Sequence, residues 1–200
     1  MIETVPPDVA PTSLGDAELL AAVREVEARR RADYARELAL LAEVEQRGLE
    51  VAAGYGSLAG LVRDLFGIGS GQARRIAAQA RVLHPSVTPS GAVVAAELPR
   101  VAAALAEGEI GPEHVEAVRT AVTELPRTAT GEDRAVAEEI LCEAARSTEP
   151  RLLTKLGREI RDRLDPDGAA PREADLAQPR RALHLAARRD GGVRGSFELD

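Results

Sequence analysis

Residues 57–84 read SLAGLVRDLFGIGSGQARRIAAQARVLH. Ser57 can cap a short helix to Phe66, Gly67-Ile68-Gly69 makes a turn, and Ser70 can cap a second helix to about Leu83 that His84-Pro85 ends. Two helices of this length about so short a turn have the spacing of a helix-turn-helix, in which apolar residues lock the pair so that the second helix can stand in a groove. Val62, Phe66, Ile68, Ala73 and Ile76 occupy the positions of that lock. The second helix is then expected to turn Gln72, Arg75 and Gln79 outward, with Arg74 and Arg81 on the flanks. Arg and Gln suit phosphates and base edges, so these five residues are the candidate nucleic-acid contacts. The competing reading is an ordinary αα-hairpin with solvated arginines, and Arg63 stands in the first helix where such motifs usually keep a small residue.

The surrounding composition favours helices. The chain has 200 residues, 44% hydrophobic and 30% charged, the balance of a soluble globular protein. Aromatic side chains are 2% (Tyr34, Tyr55, Phe66 and Phe197, with no Trp), so a core must be built from Leu, Val, Ile and much Ala. That scarcity excludes a base-stacking platform. No apolar run approaches the roughly 20 residues that span a bilayer, and Met1–Ser13 is a polar, Pro-rich leader without signal-peptide character, so a cytoplasmic location without membrane contact is expected. Cys142 is the sole cysteine, which excludes internal disulfides and cysteine zinc sites, and it reads as a small core residue. Lys155 is the one lysine among 26 basic residues, a skew that a GC-rich genome accounts for.

Asp16–Arg47 lacks Gly and Pro and reads as one long helix ended by Gly48. Its apolar stripe (Leu19, Val23, Val26) lapses from Glu27 to Asp33 and resumes at Tyr34, Leu38, Leu41 and Val44. Sustained heptads are missing, so a scaffold helix is favoured over the helix of a homodimer. Residues 86–96 read as a small-residue loop, Pro99 opens a helix to Glu107, and Pro112 opens another to Glu124. Further helices fit Asp133–Ser147 and Pro150–Leu164, with Val136, Ile140 and Cys142, then Leu152, Leu156 and Ile160, at helical spacing. From Leu183 the period changes to two, with Leu183, Leu185 and Ala187 alternating before a turn and Val193, Gly195, Phe197 and Leu199 after it. The expected fold is mainly α, a multi-helix bundle with a helix-turn-helix-like pair and a C-terminal β-hairpin. It divides into a disordered leader (1–13), a helical domain (14–164), a linker (165–179) and the hairpin (180–200). A lone hairpin is marginal in water, and its second strand is barely complete at Asp200, as in the front part of something longer.

Charge permits a nucleic-acid partner without demanding one. Residues 57–84 carry net +3 within a chain of net −7. Ile110, Val115 and Val118 repeat the offsets of Ile68, Ala73 and Ile76, so the Gly108 turn is expected to build a second copy of the same shape. Glu113 and Glu116 would repel phosphate there, which leaves that copy a packing role. For catalysis the inventory is thin: His84, His114 and His184 lie in different elements, and no HExxH, nucleophile elbow or phosphate loop is present. Asp165-Pro166-Asp167-Gly168 lacks the later acids of a calcium loop, and Glu138, Glu139 and Glu143 fit a solvated helix face. No catalytic residue, metal site or cofactor is expected.

Four stretches together resemble the 13E12 repeat family, also known as domain of unknown function 222 (DUF222), found in GC-rich bacteria. They are Gly54-Tyr55-Gly56-Ser57-Leu58 with Ala73-Arg74-Arg75; Leu98 through Ala106-Glu107-Gly108-Glu109-Ile110 to Glu113-His114; Glu149-Pro150-Arg151 through Arg161 to Leu164-Asp165-Pro166-Asp167-Gly168; and the terminal hairpin. The chain departs from the family's pattern at Leu61, often Trp, and at Gly71-Gln72, where Pro or an acid is common. The family's domain has no assigned activity, and its members commonly continue into an HNH nuclease module. That module needs His and usually Asn around a metal, and the chain has no Asn at all. The resemblance therefore implies a non-catalytic front domain that binds or positions duplex DNA for a downstream nuclease module in longer relatives. The rival expectation is a helical protein-interaction or dimerisation module without nucleic acid.

Overall fold

The first helix, α1 (Asp16–Gln46), is 31 residues without Gly or Pro and therefore roughly 46 Å long. Glu18 accepts the Gly15 N–H at 2.8 Å at its start, and Gly48, at φ +64°, ends it in the left-handed region that a Cβ disfavours. The computed structural model describes residues 10–88 and 90–165, together with the backbone of the strands at 182–187 and 193–198. Residues 1–9 of the expected leader and 166–179 of the expected linker lie outside the described residues. Within the leader, Pro11–Ser13 forms a single 3-10 turn, Ser13 Oγ donating to Ala10 O at 2.8 Å.

Seven further helices follow: α2 (Leu49–Ala52), α3 (Leu58–Phe66), α4 (Ser70–Leu83), α5 (Pro99–Ala106), α6 (Pro112–Thr123), α7 (Gly131–Ala145) and α8 (Pro150–Leu164). Their ends follow local chemistry. Ser57 Oγ accepts the Gly60 N–H at 3.2 Å to start α3, and Gly67, at φ +64°, stops it. Gly69, not Ser70, is the N-cap of α4; Ser70 is already helical and its side chain makes no cap. Thr130 and Asp133 form a capping box that starts α7 two residues before the expected Asp133. Residues 86–96, expected as a plain loop, instead fold back as a minimal antiparallel pair, β1 (Ser86–Val87) and β2 (Val93–Val94). Gln46 holds that pair to the end of α1, its Oε1 accepting the Val87 N–H and its Nε2 donating to Val87 O.

α1 lies along α4 and α5, α3 packs on α4, and α6 packs on α8, α7 and α4. The core is aliphatic, with Leu38, Leu58, Val62, Ala73, Leu105, Ile110, Val115, Val118, Leu141 and Leu153 fully or almost fully buried. Two expected faces hold only in part. α7 buries Cys142 as expected, with Ala137, Leu141 and Ala145, and leaves Val136 and Ile140 exposed, while α8 buries Leu153 and Gly157, packs Leu156 and Ile160 half-buried against the core and leaves Leu152 exposed. The chain divides after Leu164 into a second unit, in which β3 (Ala182–Ala187) and β4 (Val193–Glu198) pair antiparallel with Leu183 opposite Phe197 and Leu185 opposite Gly195. The protein is thus mainly helical with an antiparallel hairpin near its C-terminus.

α6 and α8 meet where no side chain intervenes, since a Cβ on Gly157 would lie 2.5 Å from the Cβ of Ala121. Gly157→Ala is expected to lower stability by about 1–3 kcal/mol through overpacking, and Ala121→Gly in the same chain should recover part of the loss. At an open helix position the first change would instead raise stability by about 1 kcal/mol, so the shift of the urea midpoint decides the matter by its sign.

Candidate nucleic-acid interface

The turn between α3 and α4 is built much as the motif requires. Gly67 supplies the left-handed residue, and Ile68 N–H donates to Arg63 O at 3.1 Å across it. Val62, Ala73 and Ile76 are buried between the helices and Ile68 is half-buried, but Phe66 is exposed and takes no part in the lock. Leu58 of α3 and Ala77 and Ala80 of α4 are buried as well. A left-handed glycine also joins the second pair: Gly108, at φ +76°, turns α5 into α6, with Ile110, Val115 and Val118 fully buried.

Of the five expected contact residues, three stand together in the open. Gln72, Arg74 and Arg75 are exposed on the first two turns of α4, and among the described residues neither arginine forms a salt bridge. Arg74 Nε donates to Ser70 O at 3.2 Å, inside its own helix. Their position at the helix N-terminus adds the positive end of the backbone dipole to two guanidinium charges.

Gln79 is not outward. It is fully buried, and three hydrogen bonds engage its amide: Tyr34 Oη donates to Oε1 at 2.7 Å, and Nε2 donates to Pro112 O and Glu116 Oε2, both at 3.2 Å. Gln79 does share a helical line with Gln72 and Arg75, but α6 and α1 cover that line from about the third turn onward, so the exposed face stops short of it. Arg81 is exposed yet committed, its Nε and a terminal nitrogen held by Glu45 at 2.7 and 2.5 Å. That fork geometry occupies the donors a phosphate would need.

The polar group around Gln79 joins three helices. Arg119 grips Glu116 with two hydrogen bonds, at 3.1 and 2.7 Å. Burial alone would raise the Glu116 carboxyl, but the bonds from Arg119 and Gln79 and the nearby charges of Arg119 and Arg75 outweigh it, so the group titrates below its ordinary value. Burial likewise pushes the Tyr34 phenol up, leaving it a proton donor to Gln79 at neutral pH. Glu116 is therefore a structural acceptor beside α4, while Glu113 is exposed. Sequence alone missed this arrangement, although Gln79 set in the run Ala77-Ala78-Gln79-Ala80 was its available signal.

Other ionisable groups serve the fold. Glu138 is buried and not a solvated face; its Oε1 accepts the backbone N–H groups of Arg100 and Val101 at 2.7 and 3.1 Å, capping α5 from a distant helix. His114 accepts the Gly111 N–H at Nδ1 and, as the Nε2–H tautomer, donates to Thr148 O at 3.0 Å. A groove of about 880 Å³ runs between α5, α7 and α8, and on its rim Arg100 pairs with Glu139 and Arg146 with Glu109 and Glu143. Among the described residues no group of three or more His, Cys, Asp or Glu is gathered as a metal site would need. No helix there is long and apolar enough to cross a membrane.

Gln79→Leu strips Tyr34, Glu116 and the Pro112 carbonyl of a buried partner and should cost about 2–4 kcal/mol, whereas Gln72→Leu should stay within about 0.5 kcal/mol of wild type; urea titrations of both would check this. His84 ends α4 with Nε2 buried and without a hydrogen-bond partner among the described residues, and burial lowers its pKa. Unfolding raises that pKa to the free value near 6.5, so the unfolded chain takes up the proton first. His84 therefore makes stability fall as pH drops below about 6.5, and His84→Gln should flatten the wild-type slope of urea midpoint against pH between roughly 7.5 and 5.5.

The model of the domain of unknown function DUF222 matches residues 20–200. The chain is 33% identical over 161 residues to uncharacterized proteins that include Mb1179c of Mycobacterium bovis and Rv1945 and Rv1148c of Mycobacterium tuberculosis. That alignment covers 80% of the chain but only 35% of each relative, so the chain spans about a third of the length of these relatives. No solved structure matches the chain. The four motif stretches, the helical architecture they build and these matches agree, and the chain belongs to the DUF222 family.

Proposed function

We propose that the chain is a non-catalytic module that binds duplex DNA through the start of α4 and, in longer relatives, positions a downstream HNH nuclease module. One observation carries the reading: Gln72, Arg74 and Arg75 share an exposed helix N-terminus behind a buried helix-turn-helix lock, and neither arginine has a carboxylate partner among the described residues. Most other arginines on nearby elements are paired, Arg63 with Asp64, Arg81 with Glu45 and Arg119 with Glu116. A guanidinium left without a carboxylate is the group best suited to phosphate or to a guanine edge. The contact set is Gln72, Arg74 and Arg75, with Gln79 and Arg81 reassigned to holding α4 in place. A cytoplasmic location accords with such a partner.

The test is fluorescence anisotropy of labelled duplex DNA at several salt concentrations. Wild type should bind in low salt, and Arg74→Ala with Arg75→Ala should weaken binding and make the slope of log affinity against log salt shallower by roughly one to two units. Glu113→Ala should bind as well as wild type or better, since it removes only an exposed negative charge. Glu116 is unsuitable as that control because it holds Gln79. Equal affinity of wild type and the arginine pair variant, or no binding near 50 mM salt, contradicts the proposal and leaves a protein-interaction role. The purified chain given Mg²⁺, Mn²⁺, Ni²⁺ or Zn²⁺ is expected to leave DNA uncut; nicking lost on changing His84, His114 or His184 would overturn the non-catalytic assignment.

A further inference from the structure

We propose that the start of α1 is a self-association surface at which two copies of this chain pair antiparallel. Leu19, Leu20, Val23 and Val26 are 40%, 58%, 61% and 62% exposed, a cluster of large apolar side chains on one helical stretch. Their orientation is fixed from the other side of the helix. The Gly108 turn packs so closely on α1 that a Cβ there would lie 2.6 Å from Ala28 O, and Arg31 donates to the carbonyls of Gly108 and Glu109. Ala32 and Ala35 continue that inner face against Ala102 and Leu105. Leu19, Val23 and Val26, spaced by four and three, lie on a line about half a turn away from Ala28 and so look outward.

Charge selects a second copy as the occupant and sets its direction. The stripe is acidic at its N-terminal end, Asp16 and Glu18, while residues 24–31 at its other end carry four arginines against Glu25 and Glu27 and so stay net positive, although Arg29 and Arg30 each pair with one of those acids. Such exposed pairs within a helix are weak and leave the arginines able to face a second copy. An antiparallel crossing centred on Val23 sets Asp16 and Glu18 of each copy beside Arg29 and Arg30 of the other while the apolar residues close the middle. A parallel crossing sets like charge against like. Both halves of the complementarity lie on one stretch of one helix, which is what a two-fold contact requires. Arg30 and Asp33 interrupt the apolar line, limiting the overlap to roughly 16 Å at 1.5 Å per residue. The pair is accordingly short and concentration-dependent, not a long coiled coil. It does not depend on nucleic-acid binding.

Sedimentation velocity on the 200-residue chain over a wide concentration series tests the pairing. Wild type should move from monomer to dimer as concentration rises, and Val23→Lys should raise the midpoint roughly tenfold or more. The substitution is at an exposed helical site, so unchanged circular dichroism and melting should accompany it. Asp16→Arg with Glu18→Arg, and separately Arg29→Glu with Arg30→Glu, should each weaken self-association, and mixing the two variants should restore dimers. For direction, Val23→Cys should oxidise to a cross-linked dimer and Leu19→Cys should not; Cys142 is buried and does not compete. A chain that stays monomeric at every concentration, a Val23→Lys variant that pairs like wild type, or equal cross-linking at positions 19 and 23 overturns the proposal. Arg74→Ala with Arg75→Ala should leave the association unchanged, which separates this result from the DNA titration.

Discussion

A core almost without aromatic rings has to bring helix backbones close together, and that requirement shapes the rest of this molecule. Ala73, Ala77 and Ala80 line the inner side of α4, Gly157 meets Ala121 between α8 and α6, and Gly108 meets the α1 backbone at Ala28. Small residues at these crossings leave no slack for a larger side chain, so burial is achieved by proximity and dispersion contacts instead of by bulk. One consequence reaches the surface. Because α4 is gripped along most of its length by α1, α3 and α6, its exposed residues lie on the first two turns, apart from Arg81, which Glu45 holds.

The second organising feature is polar. The group running from Tyr34 through Gln79 and Glu116 to Arg119 links α1, α4 and α6 at one place, with each member hydrogen-bonded to the next. Aliphatic surfaces tolerate small rotations of one helix against another, whereas a buried amide with three partners has few acceptable orientations. The group thus fixes the rotation of α4 about its own axis, and with it the direction in which Gln72, Arg74 and Arg75 point. Glu138 of α7, which accepts two N–H groups from the start of α5, ties those two helices together in a similar way.

Element boundaries were legible because Gly, Pro and Ser punctuate this sequence. Gly48, Ser57, Gly67, Pro99, Pro112 and Pro150 each stand within a residue of an observed helix end. The faces were less legible, since reading the large apolar residues as inward fails where alanine is the core residue. On α7 the line Ala137, Leu141, Ala145 is inside while Val136 and Ile140 are outside. Gln79 was misplaced for a related reason: helical period placed it correctly beside Gln72 and Arg75, but period says nothing about where a crossing helix covers the line. The β1–β2 pair in residues 86–96 escaped notice because its strands are two residues each, too short for an alternating pattern to register.

The central claim is that a rigidly held α4 offers its N-terminal turns to duplex DNA. The most direct test is to follow backbone amide resonances of the isotopically labelled chain while unlabelled duplex DNA is added in low salt. Shifts concentrated at residues 68–75, with the amides of α6 around Glu113 unmoved, are the expected result. An unchanged spectrum, or shifts centred on α8 or another surface while residues 68–75 stay still, would contradict the account.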